Sequence, residues 1–370
     1  MDFSLQRVGF SDIPGWQNDD PAAVVRALAR CHRHVVSVKP HKTGALGVSS
    51  DDLGLAFEAA STVVDALAPE GARDFFETHF VPFLVRPSMG GRGLVTAFYE
   101  PEVEVRAEPD AQFRYPFYRR PADLVDLDDS NRPSGMDPYF AFGRLRDGAI
   151  DEYPDRSAIE QGYLRGKGLE IAYAKSIVDV FFAHVQGAAR LLFPGGRVTR
   201  VTYAAKTGHY FSGIGKLLID RGEIDPKTVS MQSIRQWLAE NSDRVAEVLW
   251  HNRSFIFFRE AAVDDPVLGP VAAAKVALEP GRSLAVDRAI HTFGVPFFIS
   301  SETLVHIDDA KPFQRLMLAL DTGSAIVGPA RGDIFTGSGD EAGRLAGSVR
   351  NAADFFIFIP KAAAARYGDG

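Results

Sequence analysis

The sequence predicts a mainly β fold with α-helical additions. From Ser254 onward, apolar segments of strand length recur, each bounded by glycine, proline or a polar residue. Between Gly93 and Arg106 the pattern is that of strands, with Val103 and Val105 alternating with Glu102, Glu104 and Arg106. The stretch before it instead spaces its apolar residues three and four apart, as helices do.

The elements follow in order. Pro21 to His34 carries Val24, Val25, Leu28 and Ala29 on one helical face, with Asp20 as a cap and Pro21 suited to the first turn. Helices are also expected over Asp51 to Leu67, with Ser50 as N-cap, and over Ala72 to Phe80. Leu94 to Tyr99 reads as a strand after the Gly90-Gly91-Arg92-Gly93 turn. Ala107 to Tyr153, rich in Pro, Asp, Gly and Arg, predicts long loops between short strands. Leu169 to Tyr173 and Val198 to Ala205 are further extended segments. A helical pair follows, one face holding Ile234, Trp237 and Leu238 and the next Val245, Val248 and Leu249, with Ser242 as a cap between them. The later strands are Phe255 to Phe258, Val271 to Leu278, Leu284 to Val286, Val295 to Ile299, Leu316 to Leu320, Ala325 to Val327 and Phe355 to Ile359. Such a series suits a barrel or sandwich rather than a β-α-β sheet.

A chain of 370 residues is near the limit of one core, so two domains are expected. With 41 Lys and Arg against 48 Asp and Glu, the net charge of −7 offers no general attraction to nucleic acid. No apolar run approaches the roughly 18 residues of a membrane span, and no transmembrane segment is expected. Met1 to Gln6 shows no basic start with an apolar run and no lipidation cysteine, so no leader or anchor is expected in the residues as written. Cys31 is the one cysteine; it excludes an intrachain disulfide and reads as a buried helix residue.

Polar residues with chemical potential concentrate in Leu320 to Gly328 and Arg331 to Gly339. Asp321 and Asp333 lie 12 residues apart at strand-to-loop transitions, and Gly323, Gly328 and Gly337 permit close backbone approach. Either aspartate alone could serve an Asx-type turn. Asp321-Thr322-Gly323-Ser324 also matches the local tetrad of aspartic proteases, but such two-carboxylate sites need a second copy, and the chain has a single Asp-Thr-Gly. Gly213-Ile214-Gly215-Lys216 lacks the full phosphate-loop order.

Several ordered segments together resemble the MltA family of lytic murein transglycosylases. They include Gly93 to Val103, Tyr115 to Arg119, Ala172 to Arg190, Tyr203 to Gly222, Ser230 to Trp237, Asn252 to Phe258, Gly281 to Asp287 and Leu316 to Gly339. The resemblance runs from about residue 70 to the end. It implies a double-psi β-barrel domain built from residues 1–100 and 258–370 with N-terminal helices, a second inserted β-barrel over 101–257, and a glycan groove between them. It also implies cleavage of the β-1,4 bond between N-acetylmuramic acid and N-acetylglucosamine without water, leaving a 1,6-anhydromuramoyl end.

By the same resemblance the family's three marked aspartates fall on Asp287, Asp321 and Asp333, and its catalytic residue on Asp333. One carboxyl would protonate the leaving glycosidic oxygen and then act as base toward the C6 hydroxyl. Asp333 is therefore expected to have a raised pKa, through partial burial or a neighbouring charge such as Asp321. Asp321 is expected to orient the site or bind sugar, and Asp287 to fasten a loop. Tyr99 and Glu100 would line the groove, although Ala97 and Phe98 depart from the family's glycine and tyrosine. The inserted domain offers Ser176, Asp179, Gln186 and the run Lys206 to Tyr210, including His209, as further substrate-binding candidates; the family's serine after Gln186-Gly187 is Ala188 here.

No cofactor is expected, and the nine histidines show no metal-ligand spacing. The implied partners are peptidoglycan glycan strands, with other cell-wall enzymes as further candidates, at the periplasm or the periplasmic face of the outer membrane. A non-catalytic glycan-binding scaffold and a two-carboxylate hydrolase are the alternatives.

Overall fold

The computed structural model describes residues 3–63, 67–88 and 90–367. Met1 and Asp2, where no leader is read, and residues 64–66, the end of one expected helix, lie outside the described residues. The chain divides into two compact units. Unit 1 holds Met1–Tyr99, Pro266–Gly337 and Glu341–Gly370; unit 2 holds Glu100–Asp265 and Ser338–Asp340.

Unit 1 opens with β1 (Phe3–Arg7) and three helices, α1 (Ala22–Ser37), α2 (Ser50–Val63) and α3 (Pro69–His79). α1 buries Val24, Leu28 and Cys31, the spacing that predicts it. Asp20 accepts the Ala22 N–H at 3.1 Å. The cap of α2 is Ser49, not Ser50: Ser49 Oγ accepts the Asp52 N–H at 3.1 Å while Asp52 accepts the Ser49 N–H at 2.7 Å. Ser50 turns inward, its Oγ accepting the His41 N–H at 2.9 Å.

The strands of unit 1 are β1, β2 (Phe80–Pro87), β3 (Gly93–Glu100) and, after the unit 2 strands, β13 (Ser283–Val286), β14 (Pro296–Ser301), β15 (Phe313–Asp321), β16 (Arg331–Ser338) and β17 (Arg350–Pro360). Their order is β1-β2-β17-β14-β15-β13-β16-β3, and β17 also pairs with β3. Six strands from β17 round to β3 thus close on themselves, which removes their free edges. Leu284, Leu318, Ile334 and Ile357, all fully buried, belong to the core this closure creates.

Three differences from expectation stand here. Phe80, read as the end of a helix, instead opens β2, a strand not expected from the sequence, which pairs with β1 and β17. Val271 to Leu278 is no strand: it turns through Lys275 at φ 61, with one isolated bridge, Val271 to Ala277. Ala325 to Val327 forms a turn, its alanine and valine exposed.

Unit 2 contains β4 (Glu102–Arg106), β5 (Tyr115–Tyr118), β6 (Leu124–Asp126), β7 (Phe142–Arg146), β8 (Ala149–Asp151), β9 (Glu170–Ala174), β10 (Ala188–Leu192), β11 (Val198–Lys206) and β12 (Ile256–Ala261). One sheet runs β12-β11-β10-β4-β9-β5, and a bridge from Arg119 to Phe258 joins its two edges; β6-β7-β8 form a second sheet. β12 pairs with β11 as far as Ala261, which keeps residues 258–265 in this unit rather than returning the chain to unit 1 at 258. The helices Met231–Glu240 and Val245–Trp250 pack their apolar faces as expected. Ser242 caps neither, since the second begins after Arg244 without a side-chain cap.

Candidate active site

β13 lies between β15 and β16, parallel to the first and antiparallel to the second. Ala285 is the register partner of Asp321 on one side and of Asp333 on the other. Residues paired across a sheet project to the same face, so both carboxylates share the side of Ala285. Leu284 and Val286 point the other way into the core. A bulge between Leu284 and Ala285 sets this arrangement. It turns Asp321, two residues beyond Ala319, onto the face opposite to the Leu284–Ala319 pair.

Both carboxylates are half-buried. Burial raises the pKa of Asp333, opposed by a hydrogen bond from Thr96 and by the charge of Arg331. Burial likewise pushes Asp321 up to about 6, with backbone N–H groups of Thr322 and Ala273 opposing and the Asp333 charge adding to the rise. The Ala273 N–H reaches Asp321 at 3.2 Å.

Thr96, on β3, is the residue that sequence reasoning passes over. Its hydroxyl donates to Asp333 Oδ1 and accepts from Arg331 Nη2 at 2.8 Å. Arginine can only donate, so its bond directs the threonine proton toward Asp333. That leaves Oδ2 as the oxygen free to carry a transferable proton. The signal for Thr96 is its place in the strand: Val95 enters the core, so its neighbour projects to the opposite face.

The remaining candidates separate by location. Asp287 accepts the Ala289 N–H at 3.0 Å and the Gly328 N–H at 2.8 Å, tying the turn after β13 to the loop before β16. Gly328 and Gly337 have φ of 116° and 123°, conformations that favour glycine, while Gly323 is exposed in the loop after β15. Tyr99 is buried, its ring lying where a Cβ on Gly343 would sit 2.7 Å from it. Glu100 is 1% exposed, so it is not presented to solvent as a groove residue would be. Its carboxylate accepts from Arg190 Nε at 3.0 Å, from both Nε and Nη2 of Arg200 and from Ser338 Oγ at 2.7 Å. Four donors around one buried carboxylate make a structural ion cluster of unit 2.

Ser176 caps the helix Ile177–Gln186 by accepting the Val178 N–H, and Asp179 in its first turn pairs with Arg235 at 2.7 Å. Gln186 ends that helix half-buried, before Gly187 at φ 77. His209 is 2% exposed and its Nε2 lies 2.7 Å from the Tyr153 carbonyl, so it is an internal anchor. Among the described residues, no three His, Cys, Asp or Glu side chains are grouped to hold a metal ion, and no helix is long and apolar enough to cross a membrane.

A closed ring of strands carrying paired half-buried carboxylates, interrupted by a second β unit, defines the class: a barrel protein with a spliced-in β domain. The model described as the MltA specific insert domain matches residues 94–259, and that described as the 3D domain matches 282–359. The crystal structure of a membrane-bound lytic murein transglycosylase from Agrobacterium tumefaciens is 61% identical, covers 99% of this chain and 100% of that one, and superposes with a TM-score of 0.94. Escherichia coli MltA with bound chitohexaose is 26% identical, with a TM-score of 0.70 over 98% of this chain and 94% of that one. Membrane-bound lytic murein transglycosylase A of Vibrio cholerae is 32% identical over 70% of this chain, and the match spans 64% of that relative's length. The chain belongs to the MltA family.

Proposed function

We propose that the chain is a lytic transglycosylase of peptidoglycan. In this reading it cleaves the β-1,4 bond between N-acetylmuramic acid and N-acetylglucosamine and leaves a 1,6-anhydromuramoyl end. The observation that carries it is Asp333, a half-buried carboxyl with raised pKa whose Oδ1 is held by Thr96. Protonated Asp333 gives its proton to the O4 leaving group of N-acetylglucosamine as the bond to the muramoyl C1 breaks. The resulting carboxylate takes the proton of the muramoyl C6 hydroxyl as that oxygen closes on C1, which restores the acid. No water is consumed and no cofactor enters. Asp321, on the same sheet face, orients the sugar or stabilises the positive charge developing at C1.

The family membership supports this reading, as do the names of relatives, among them a lytic murein transglycosylase and a homologue holding chitohexaose. The double-psi strand path, the glycan groove, the contribution of other cell-wall enzymes and a place at the periplasmic face of the outer membrane belong to the same proposal. The scaffold alternative would be favoured by an Asp333 closed to solvent against an arginine. Here Asp333 keeps partial exposure, and Arg331, whose charge acts on Asp333, makes its hydrogen bond to Thr96. A hydrolase gains support from the second carboxylate, Asp321, so product chemistry must decide.

The test is incubation of purified peptidoglycan with the protein and with Asp333→Asn, followed by mass spectrometry of released muropeptides. Anhydromuropeptides from the unmodified protein alone are expected. Products carrying an added water would establish hydrolysis instead, and binding without release would establish the scaffold.

A further inference from the structure

We infer that the outward face of the Tyr210 ring, in unit 2, is a stacking platform for an N-acetylated aminosugar ring of the glycan strand; this rests on the proposed peptidoglycan substrate. Tyr210 is 51% exposed, yet it is held firmly. Its inner face stacks on Tyr139 with ring centroids 3.7 Å apart and planes inclined by 12°. Its hydroxyl donates to Asp137 Oδ2 at 2.7 Å, and Asp137 Oδ1 accepts the Tyr139 N–H at 2.9 Å. The ring is therefore fixed at its edge and on one face, and its other face is left to solvent.

The loop geometry is specific to this placement. Gly208 has φ of 92°, and a Cβ there would lie 2.6 Å from the Phe142 carbonyl oxygen. Only glycine lets the 137–142 segment lie this close over the 207–211 backbone. His209, buried beneath, fixes the turn through the Tyr153 carbonyl and an edge-on contact with Phe140. The sequence run Lys206 to Tyr210 thus divides its labour: the histidine anchors and the tyrosine is presented.

The surroundings select the ligand. A pyranose chair offers an apolar face of C–H bonds ringed by hydroxyl and acetamido groups. Tyr210 offers a matching apolar, electron-rich face. Asp137 supplies an exposed carboxylate acceptor at its rim, and Lys206, whose Nζ donates to Tyr139 Oη at 3.2 Å, a cationic donor. A rigid ring meets a sugar without paying rotamer entropy on binding. A purely apolar partner would displace water from those rim charges and offer them no polar group in its place.

The test uses the full chain with Asp333→Asn, which binds without turnover, and the N-acetylglucosamine hexamer as probe in titration calorimetry. Adding Tyr210→Ala is expected to weaken binding about three- to tenfold, the range of one aromatic contact. Tyr210→Trp keeps the face and should retain affinity, and Tyr210→Phe should lose little. Equal affinity for the Ala variant overturns the platform. So does equal weakening by Ala, Phe and Trp, which would assign Tyr210 to packing of the 137–142 loop. The two readings fail separately. If the unmodified chain releases no anhydro products while hexamer binding still depends on Tyr210, the reaction falls and the platform stands. If anhydro products form and binding ignores Tyr210, the platform alone falls.

Discussion

Asp321 and Asp333 are both register partners of Ala285, one across a parallel strand pair and one across an antiparallel pair. This places two carboxylates on one sheet face, two strands apart, with the smallest chiral side chain between them. The bulge at Leu284–Ala285 is what brings Asp321 to that face. The site's predicted behaviour follows from this geometry and from the bonds that support it.

Thr96→Val should lower kcat about ten- to a hundredfold, the loss of one hydrogen bond to a charged group. The Thr96 bond favours the ionised form of Asp333, so removing it raises the Asp333 pKa further. Activity needs the protonated acid, and the alkaline limb of the pH–rate profile therefore moves to higher pH. Thr96→Ser should restore both rate and profile. An unshifted limb in the valine variant would remove Thr96 from the proton-bearing unit.

Asp321→Asn should reduce turnover while stabilising the fold at neutral pH. The folded pKa of about 6 stands above the ordinary carboxylate value, so between about pH 4 and 6 the folded state holds more protons than the unfolded one. Stability contributed at this site falls as pH rises through that window, and it stays low above it. Asparagine removes the penalty, on the order of 1–3 kcal/mol, with the smaller figure suited to a half-buried group. Melting temperatures of parent and variant should coincide near about pH 4 and diverge above about pH 6. Divergence on the acidic side would reverse the sign and refute the burial argument.

Glu100→Ala should cost about 3–5 kcal/mol of stability, because Arg190 and Arg200 lose their shared buried counter-charge. Any folded fraction should retain its KM for glycan, since the Glu100 carboxylate is buried among its own donors and is not presented to solvent. Denaturant unfolding with steady-state kinetics on the same samples separates the two effects. A large KM change with unaltered unfolding would return Glu100 to the substrate.

Much of this was legible in the sequence where the pattern is local. The apolar periodicity of α1, β14, β15 and β17 marks those elements, and the Asp321 and Asp333 segments carry the family resemblance. Thr96 was not legible as a supporting residue, because its bond to Asp333 joins positions 237 apart through strand pairing. Glu100 read as a polar groove residue at a strand end for the same reason: its arginine partners lie 90 and 100 residues further on. Ser50 misled because a local hydroxyl was available both to the helix start and to His41, and the tertiary contact took it. His209 and Tyr210 both belong to the run Lys206 to Tyr210 read as substrate-binding, and nothing local in that run tells that the imidazole is buried and the phenol exposed.

Ala285 itself provides the sharpest test of the shared face. It is 3% exposed and its side chain stands between the two carboxylates. Ala285→Leu would fill that space, at a stability cost of about 1–3 kcal/mol for an overpacked site. Turnover should fall by about a hundredfold or more, as sugar and proton donor lose their alignment. Ala285→Gly empties the space instead, and should keep most of the activity at about 1 kcal/mol in stability. Rates of anhydromuropeptide release, measured well below each variant's melting temperature, distinguish the two. Leucine turning over as fast as alanine would mean that the substrate does not approach across this face, and that Asp321 and Asp333 act in separate surroundings despite their common register partner.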